Sequence, residues 1–244
     1  MQYSHLLTEH LFFSICYKNN NQASLSVSLN NLDEYIVDLQ TATAEPSEIF
    51  HKIFSNTNEP YPQISSSILQ IEDEHYGIAR PKGIVDSNDR QTSKLLLSGV
   101  DYIEFRSMDI NPFSRVGIEQ NDLIFLEAFI IYCTLKSSPP MSSSEFADVS
   151  ENDLIVATRG REPKLRLKKG GKLIELKSWA NEIFNEIIPI IELMGHQYFD
   201  IENYKSKLTD PELTLSASIL RKLRDEKIDY FDLGQQIGMN NKNH

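Results

Sequence analysis

From Leu32 to Thr43 the apolar positions Leu32, Tyr35, Ile36 and Leu39 fall three and four apart, which lines one face of an α-helix and predicts a short amphipathic one. Residues 119–136 are apolar almost all round and predict a helix buried on most sides. Leu176, Trp179, Ile183, Ile187, Ile190 and Met194 step by threes and fours, so a helix is expected there, started by Ser178 and bent near Pro189. Asp210-Pro211 reads as the cap and first position of a last helix running through "ELTLSASILRKL". Elsewhere the period is two. In "GVDYIEFRSMDINPF" Ile103, Phe105 and Ser107 fall on one face of a strand and Tyr102, Glu104, Arg106 and Met108 on the other, until Asn111-Pro112 ends it. Residues 10–18 and 25–29 read as two extended segments around the polar turn "KNNNQ", and Gln63 to His75 reads as a strand leading into acid.

Breaks separate these elements. Pro60 and Pro62 mark a loop, Gly83 to Ser93 is polar and turn-rich, and Pro139-Pro140 precedes "MSSSE", whose serines can cap the next element. A basic loop holds Gly160, Pro163, Gly170 and Gly171. The polar tail 234–244 is expected to fray. No internal repeat is visible.

With 40% apolar residues, 24% charged residues, 12 Phe and 10 Tyr in 244, the chain has the composition of a packed protein. Its formal charge of -11 argues against non-specific binding to nucleic acid or an anionic membrane, which needs clustered Lys and Arg; the stretch Arg159–Lys172 is the exception. The most apolar run, "LIFLEAFIIYC", is shorter than the roughly 18 residues of a membrane helix and carries Glu127. "HLFFSICY" follows Glu9, where a secretion signal would place basic residues. Cys16 and Cys133 show no metal-ligand spacing, and a reducing cytoplasm is the expected compartment.

Glu104 and Arg106, two apart on one strand face, stand roughly 6 to 7 Å apart along the chain. A carboxylate there is a hard oxygen ligand suited to Mg²⁺, and a guanidinium offers a permanently charged fork of donors for phosphate. The same spacing equally serves a surface ion pair. Tyr76, Arg80 and Lys82 in "HYGIARPK" read as either a phosphate clamp or a solvated basic loop, and Glu72-Asp73-Glu74 as either a metal cluster or acids facing water. No histidine lies near "MSSSE", no histidine pair has metal-ligand spacing, and neither a P-loop nor a G-x-G-x-x-G is present.

Four blocks in order, "QIEDEHYGIARPK", "YIEFRSMDINPF", "MSSSE" and "DPELTLSASILR", resemble the gamma-proteobacterial glutamate-cysteine ligases. The likeness runs from about Tyr17 to Leu223 and matches the C-terminal half of that family's length. It implies an α+β fold, a partial glutamine synthetase-like one with a curved and mostly antiparallel sheet and helices packed behind, residues 1–244 forming one incomplete domain. It implies ATP and Mg²⁺ as requirements and L-glutamate and L-cysteine as substrates, joined as gamma-glutamylcysteine in the first step of glutathione synthesis. Position by position, the resemblance makes Glu104 a magnesium ligand and Arg106 a catalytic contact to the transferring phosphate of ATP; Tyr17 and Tyr76 match tyrosines of the cysteine pocket.

The chain departs from the family at several points. The metal-binding N-terminal half has no counterpart here, Leu11 stands where an arginine for the cysteine substrate is expected, and Ser218 replaces another arginine in the last helix. Two readings follow: an enzyme half inactive without a separately encoded N-terminal half, or a non-catalytic remnant that keeps the fold as a nucleotide- or protein-binding module.

Overall fold

A computed structural model describes residues 25–56, 63–84, 89–106, 108–196 and 198–242. The predicted strand at 10–18 and the loop prolines Pro60 and Pro62 lie outside them. The described residues divide into two compact units, one of residues 25–106 and 139–141, the other of residues 108–138 and 142–242.

In the smaller unit, residues 25–29 join no ladder; Val27 is buried and the Ser28 N–H donates to Asp38 Oδ2 at 2.7 Å. Helix α1, Leu32–Ala44, buries Tyr35, Ile36, Leu39 and Ala42, the face the pattern predicts. Asn31 caps it, accepting from the Glu34 N–H at 2.8 Å and donating back to Glu34 Oε1 at 2.7 Å. Helix α2, Glu48–Ser55, is an element the pattern does not announce. Residues 63–71 are bends rather than the expected strand, with a single bridge from Ser67 to Pro46. The reason is local: Gln70 Oε1 accepts from the Ile64 N–H at 2.8 Å and Ser65 Oγ from the Ser67 N–H at 3.2 Å, so side chains take the donors a ladder would use.

Strands β1, Ala79–Lys82, and β2, Tyr102–Phe105, then pair antiparallel, with Arg80 opposite Glu104 and Pro81 opposite Ile103. Between them comes α3, Gln91–Ser98, in place of the end of the expected loop. A Cβ at Gly83 would stand 2.9 Å from Ser98 Oγ and 3.0 Å from the Lys94 carbonyl carbon, so glycine permits β1 to run against this helix. Leu69 and Leu95 close the core around Val27, Tyr35, Ile36, Leu39 and Ala42.

The larger unit is mainly helical. Helix α4, Gln120–Leu135, buries Phe125, Ala128, Phe129 and Tyr132. Helix α5, Ser143–Arg159, starts at a capping box in which Ser142 Oγ accepts from the Glu145 N–H at 3.3 Å and Glu145 Oε2 from the Ser142 N–H at 2.9 Å. The basic loop is a hairpin, β3 Arg166–Lys169 and β4 Lys172–Glu175, turned by Gly170 and Gly171 at φ of 55° and 73°. Two successive positive φ angles define the primed turn that suits strand twist. Helix α6, Leu176–Leu193, begins two residues before Ser178 and carries Pro189 within it; Trp179, Ile183, Phe184, Ile187 and Ile191 make its buried stripe. Phe125 stacks on Tyr204 at 5.0 Å between ring centres and meets Phe184 edge-on at 5.6 Å.

Helix α7, Ile201–Thr209, precedes Asp210, which caps a 3₁₀ turn over Pro211–Leu213 rather than the helix itself. Thr214 caps α8, Leu215–Glu226, through the Ala217 N–H at 3.3 Å. Helix α9, Tyr230–Lys242, covers most of the tail expected to fray. The α+β class and the antiparallel pairing follow the expectation, while the curved sheet is represented among the described residues by two separate two-stranded pieces. No helix among these residues is long and apolar enough to cross a membrane.

Candidate active site

Opposite residues of an antiparallel pair share a face, so the register puts Arg80 and Lys82 of β1 on the side of Glu104. Arg106, just past β2, extends the ladder through its N–H to the Ile78 carbonyl at 2.9 Å and lies on that side too. Its Nη2 donates to Glu104 Oε2 at 2.9 Å, and Lys82 Nζ stands 3.8 Å from the same oxygen. The guanidinium lies over the Tyr76 ring, 5.4 Å from its centre, and the Tyr76 hydroxyl faces the Arg106 carbonyl at 3.5 Å. Glu104, Arg106 and Tyr76 are therefore brought together. Tyr17 lies outside the described residues, as do Leu11, Cys16 and Ser107. Ser218 is a half-buried residue of α8.

The acidic triplet is dispersed. Glu72 is buried and caps α3, accepting from the Thr92 N–H at 2.9 Å and the Thr92 hydroxyl at 2.6 Å. Asp73 turns to Arg80 at 3.1 Å and Lys82 at 3.9 Å, and Glu74 accepts from the Gln70 N–H at 2.6 Å. The metal-cluster reading of these three adjacent acids is thus replaced by three structural roles. Ser142 of "MSSSE" is likewise a helix cap. In the basic stretch, Arg159 meets Glu162, Lys168 meets Asp148 and Glu151, and Lys169 meets Glu182. Local carboxylates thus engage Arg159, Lys168 and Lys169 of this stretch.

Arg80 is the residue whose weight the sequence understates. It reads there as part of a loop, yet it sits on a strand and is 0% exposed. Its Nε and Nη1, and the buried Tyr35 hydroxyl, close no well-formed hydrogen bond among the described residues, yet the guanidinium lies near enough to Tyr35 to act on it against burial. Burial raises the pKa of Tyr35. His75, edge-on to Tyr35 at 6.4 Å, is pushed down to about 4 by burial and then by the charges of Arg80 and Arg106, so it is neutral at pH 7. The hydrogen bond from Arg106, and then the charges of Arg106 and Lys82, lower the pKa of Glu104. Lys82 is lowered by burial and by Arg80, against the pull of Asp73 and Glu104.

Three cations thus face two carboxylates, a surplus of positive charge that suits an anionic ligand. Magnesium is a different matter. It needs several oxygen ligands in near-octahedral order. Glu104 is already engaged by Arg106 and Lys82, and no three His, Cys, Asp or Glu among the described residues gather to hold a metal. These residues do not make a magnesium site on their own.

Comparison with known proteins extends this picture. The sequence profile of the family described as glutamate-cysteine ligase matches residues 9–156. A glutamate-cysteine ligase from Alcanivorax borkumensis is 35% identical over 239 residues, 93% of this chain and 46% of that protein. A crystal structure of glutamate-cysteine ligase from Francisella tularensis, in complex with AMP, superposes with a TM-score of 0.85 at 31% identity, covering 93% of this chain and 47% of that one. A bifunctional glutathione synthetase from Pasteurella multocida, at 18% identity and a TM-score of 0.57, shares the fold over 89% of this chain and 24% of its own. The likenesses define a family of ligases. The chain belongs to the glutamate-cysteine ligase family, and it spans just under half the length of the curated relatives it matches.

Proposed function

We propose that this chain is the C-terminal half of a glutamate-cysteine ligase, one incomplete domain over residues 1–244 that acts in a reducing cytoplasm and is inactive until an N-terminal half joins it. The observation that carries the reading is the Glu104–Arg106 pair, joined at 2.9 Å and half exposed at a strand end beside Lys82 and Tyr76. Arg106 contacts the terminal phosphate of ATP as the side-chain carboxylate of glutamate attacks it, since a fixed guanidinium stabilises charge gathering on the transferring group. Tyr76, and with it Tyr17, borders the cysteine whose amine then displaces phosphate from gamma-glutamyl phosphate. Glu104 would give one oxygen to a magnesium ion whose other ligands an N-terminal half would supply, and the ion would neutralise the phosphates of ATP.

The test is a coupled assay of ATP hydrolysis and gamma-glutamylcysteine formation, run on the chain alone and with the unmatched portion of the Alcanivorax relative. Product in the mixture, none from the chain alone, and loss with Glu104→Ala supports the proposal; a mixed complex that forms no product contradicts it. The engagement of Glu104 by two cations favours a second reading, a binding module without catalysis. Under that reading Glu104→Ala leaves nucleotide and Mg²⁺ affinity unchanged.

A further inference from the structure

Two contacts hold the Arg106 guanidinium, and they differ in what they use up. Along its edge, Nη2 donates to Glu104 Oε2 at 2.9 Å, an oxygen that Lys82 Nζ also faces at 3.8 Å. Across its face lies the Tyr76 ring, with the guanidinium carbon 5.4 Å from the ring centre. That is inside the ~6 Å over which the negative face of an aromatic ring attracts a cation. An edge contact consumes N–H donors, the same ones a phosphate needs. A face contact consumes none, so the fork stays free to meet phosphate oxygens while its plane stays fixed.

The ring is itself held in place. Tyr76 follows the 3₁₀ turn Glu72–Glu74, which buried Glu72 ties to α3 through Thr92. Next to it, His75 packs edge-on against Tyr35 at 6.4 Å, and Tyr35 belongs to the core of this unit. On the other side Gly77 brings the chain in tightly, since a Cβ there would stand 3.3 Å from the Ala79 carbonyl oxygen. Two residues past Tyr76 the Ile78 carbonyl accepts the Arg106 N–H at 2.9 Å, so ring and guanidinium leave neighbouring points of one ladder. Tyr76 is half-buried and the Arg106 side chain is 24% exposed, which keeps water from much of the contact and strengthens the attraction.

We propose that Tyr76 is a positioning residue for phosphoryl transfer, acting through the face of its ring on Arg106, over and above its place beside cysteine. The inference rests on the proposed function and deepens it. A tyrosine whose part lay only in the acceptor pocket would matter once cysteine is bound. A ring that sets the plane of Arg106 matters earlier, when the side-chain carboxylate of glutamate attacks the terminal phosphate and no cysteine is needed. Misaiming a fixed donor slows that step without loosening cysteine.

The experiment is a single-turnover measurement of ADP formed from ATP and glutamate, without cysteine, on the full chain combined with the unmatched portion of the Alcanivorax relative. Tyr76→Leu should slow this step by about tenfold. Tyr76→Phe, which keeps the ring, should recover the rate to within about threefold and show its defect instead as a raised KM for cysteine in the complete reaction. With Arg106→Ala already in place, Tyr76→Leu should cost less than about a further twofold, because the group it positions is gone. Where Tyr76→Leu fails to fold, Tyr76→Phe with fluorines on the ring decides: fluorine drains the ring face at nearly constant shape, and the rate should fall with each one added. A full cysteine-free rate in Tyr76→Leu, or losses that simply multiply in the double variant, overturns the inference and leaves the function standing where Arg106→Ala is slow. A mixture that forms neither ADP nor gamma-glutamylcysteine, or that runs as fast with Arg106→Ala, overturns the function and the inference with it.

Discussion

Asn152 in the larger unit and Arg80 in the smaller are both buried polar side chains, and their surroundings treat them differently. Asn152 donates to the Lys168 carbonyl at 2.7 Å and accepts from the Lys168 N–H at 2.9 Å, so one amide ties α5 to β3 with both ends used. Arg80 makes one well-formed hydrogen bond, to Asp73, and meets the buried Tyr35 hydroxyl only loosely. Leaving a buried donor unpaired costs roughly 1–3 kcal/mol. A fold keeps such a cost where something else supplies the acceptor. Asn152 is thus satisfied at both ends by its own unit, whereas Arg80 is satisfied only in part by the described residues of its own.

The largest effect expected from this contrast is on rate. Arg106→Ala in the completed enzyme should lower turnover by about 10²–10³-fold, the usual loss when one fixed donor to a developing charge is removed. Single-turnover kinetics would show this, and an unchanged rate would detach Arg106 from the chemistry.

Acid should strain the smaller unit next. Folded His75 takes up its proton only near pH 4, whereas in an unfolded chain it does so near its ordinary 6.5. Between those values the unfolded state binds more protons, so stability rises with pH. The contribution of His75 is complete above pH 6.5 and is lost as pH falls through 4, up to ~3 kcal/mol. Urea unfolding at pH 7, 5.5 and 4.5 should show the decline, and His75→Leu should flatten it.

The two buried polar residues give the smaller effects. Asn152→Leu strands a backbone N–H and carbonyl and should cost about 2 kcal/mol of stability in chemical denaturation. Arg80→Met should cost less than ~1 kcal/mol or even stabilise, because it removes unpaired donors and a buried charge while Asp73, 67% exposed, returns to water. Equal losses at the two positions would erase the distinction between a fully and a partly satisfied buried side chain.

Much of this was legible in the chain. The stripes of α1 and α6 stand in the spacing of Tyr35, Ile36 and Leu39 and of Trp179, Ile183 and Ile187, and the alternation through β2 put Glu104 and Arg106 on one face. Helix α3 escaped notice because it buries only Thr92 and Leu95 of its eight residues, leaving Leu96 and Leu97 exposed, so no stripe forms. Strand β1 was hidden by Pro81, which disqualifies a central strand but suits an edge. The Gly170-Gly171 turn was a hairpin signal masked by surrounding basic residues. Nothing local to Arg80 foretells its burial, because Tyr35 and Glu104 reach it from distant parts of the chain.

One claim underlies the contrast: when its site is completed, the smaller unit helps turn glutamate into an acyl phosphate. Glutamate carrying ¹⁸O in its side-chain carboxylate tests it, supplied with cysteine, ATP and Mg²⁺ to the chain combined with its missing half. The account predicts one ¹⁸O atom in each inorganic phosphate released with gamma-glutamylcysteine, and both products forming about 10²–10³-fold more slowly when Arg106 is replaced by alanine. Phosphate released without the label, or product that forms as fast without Arg106, would contradict it.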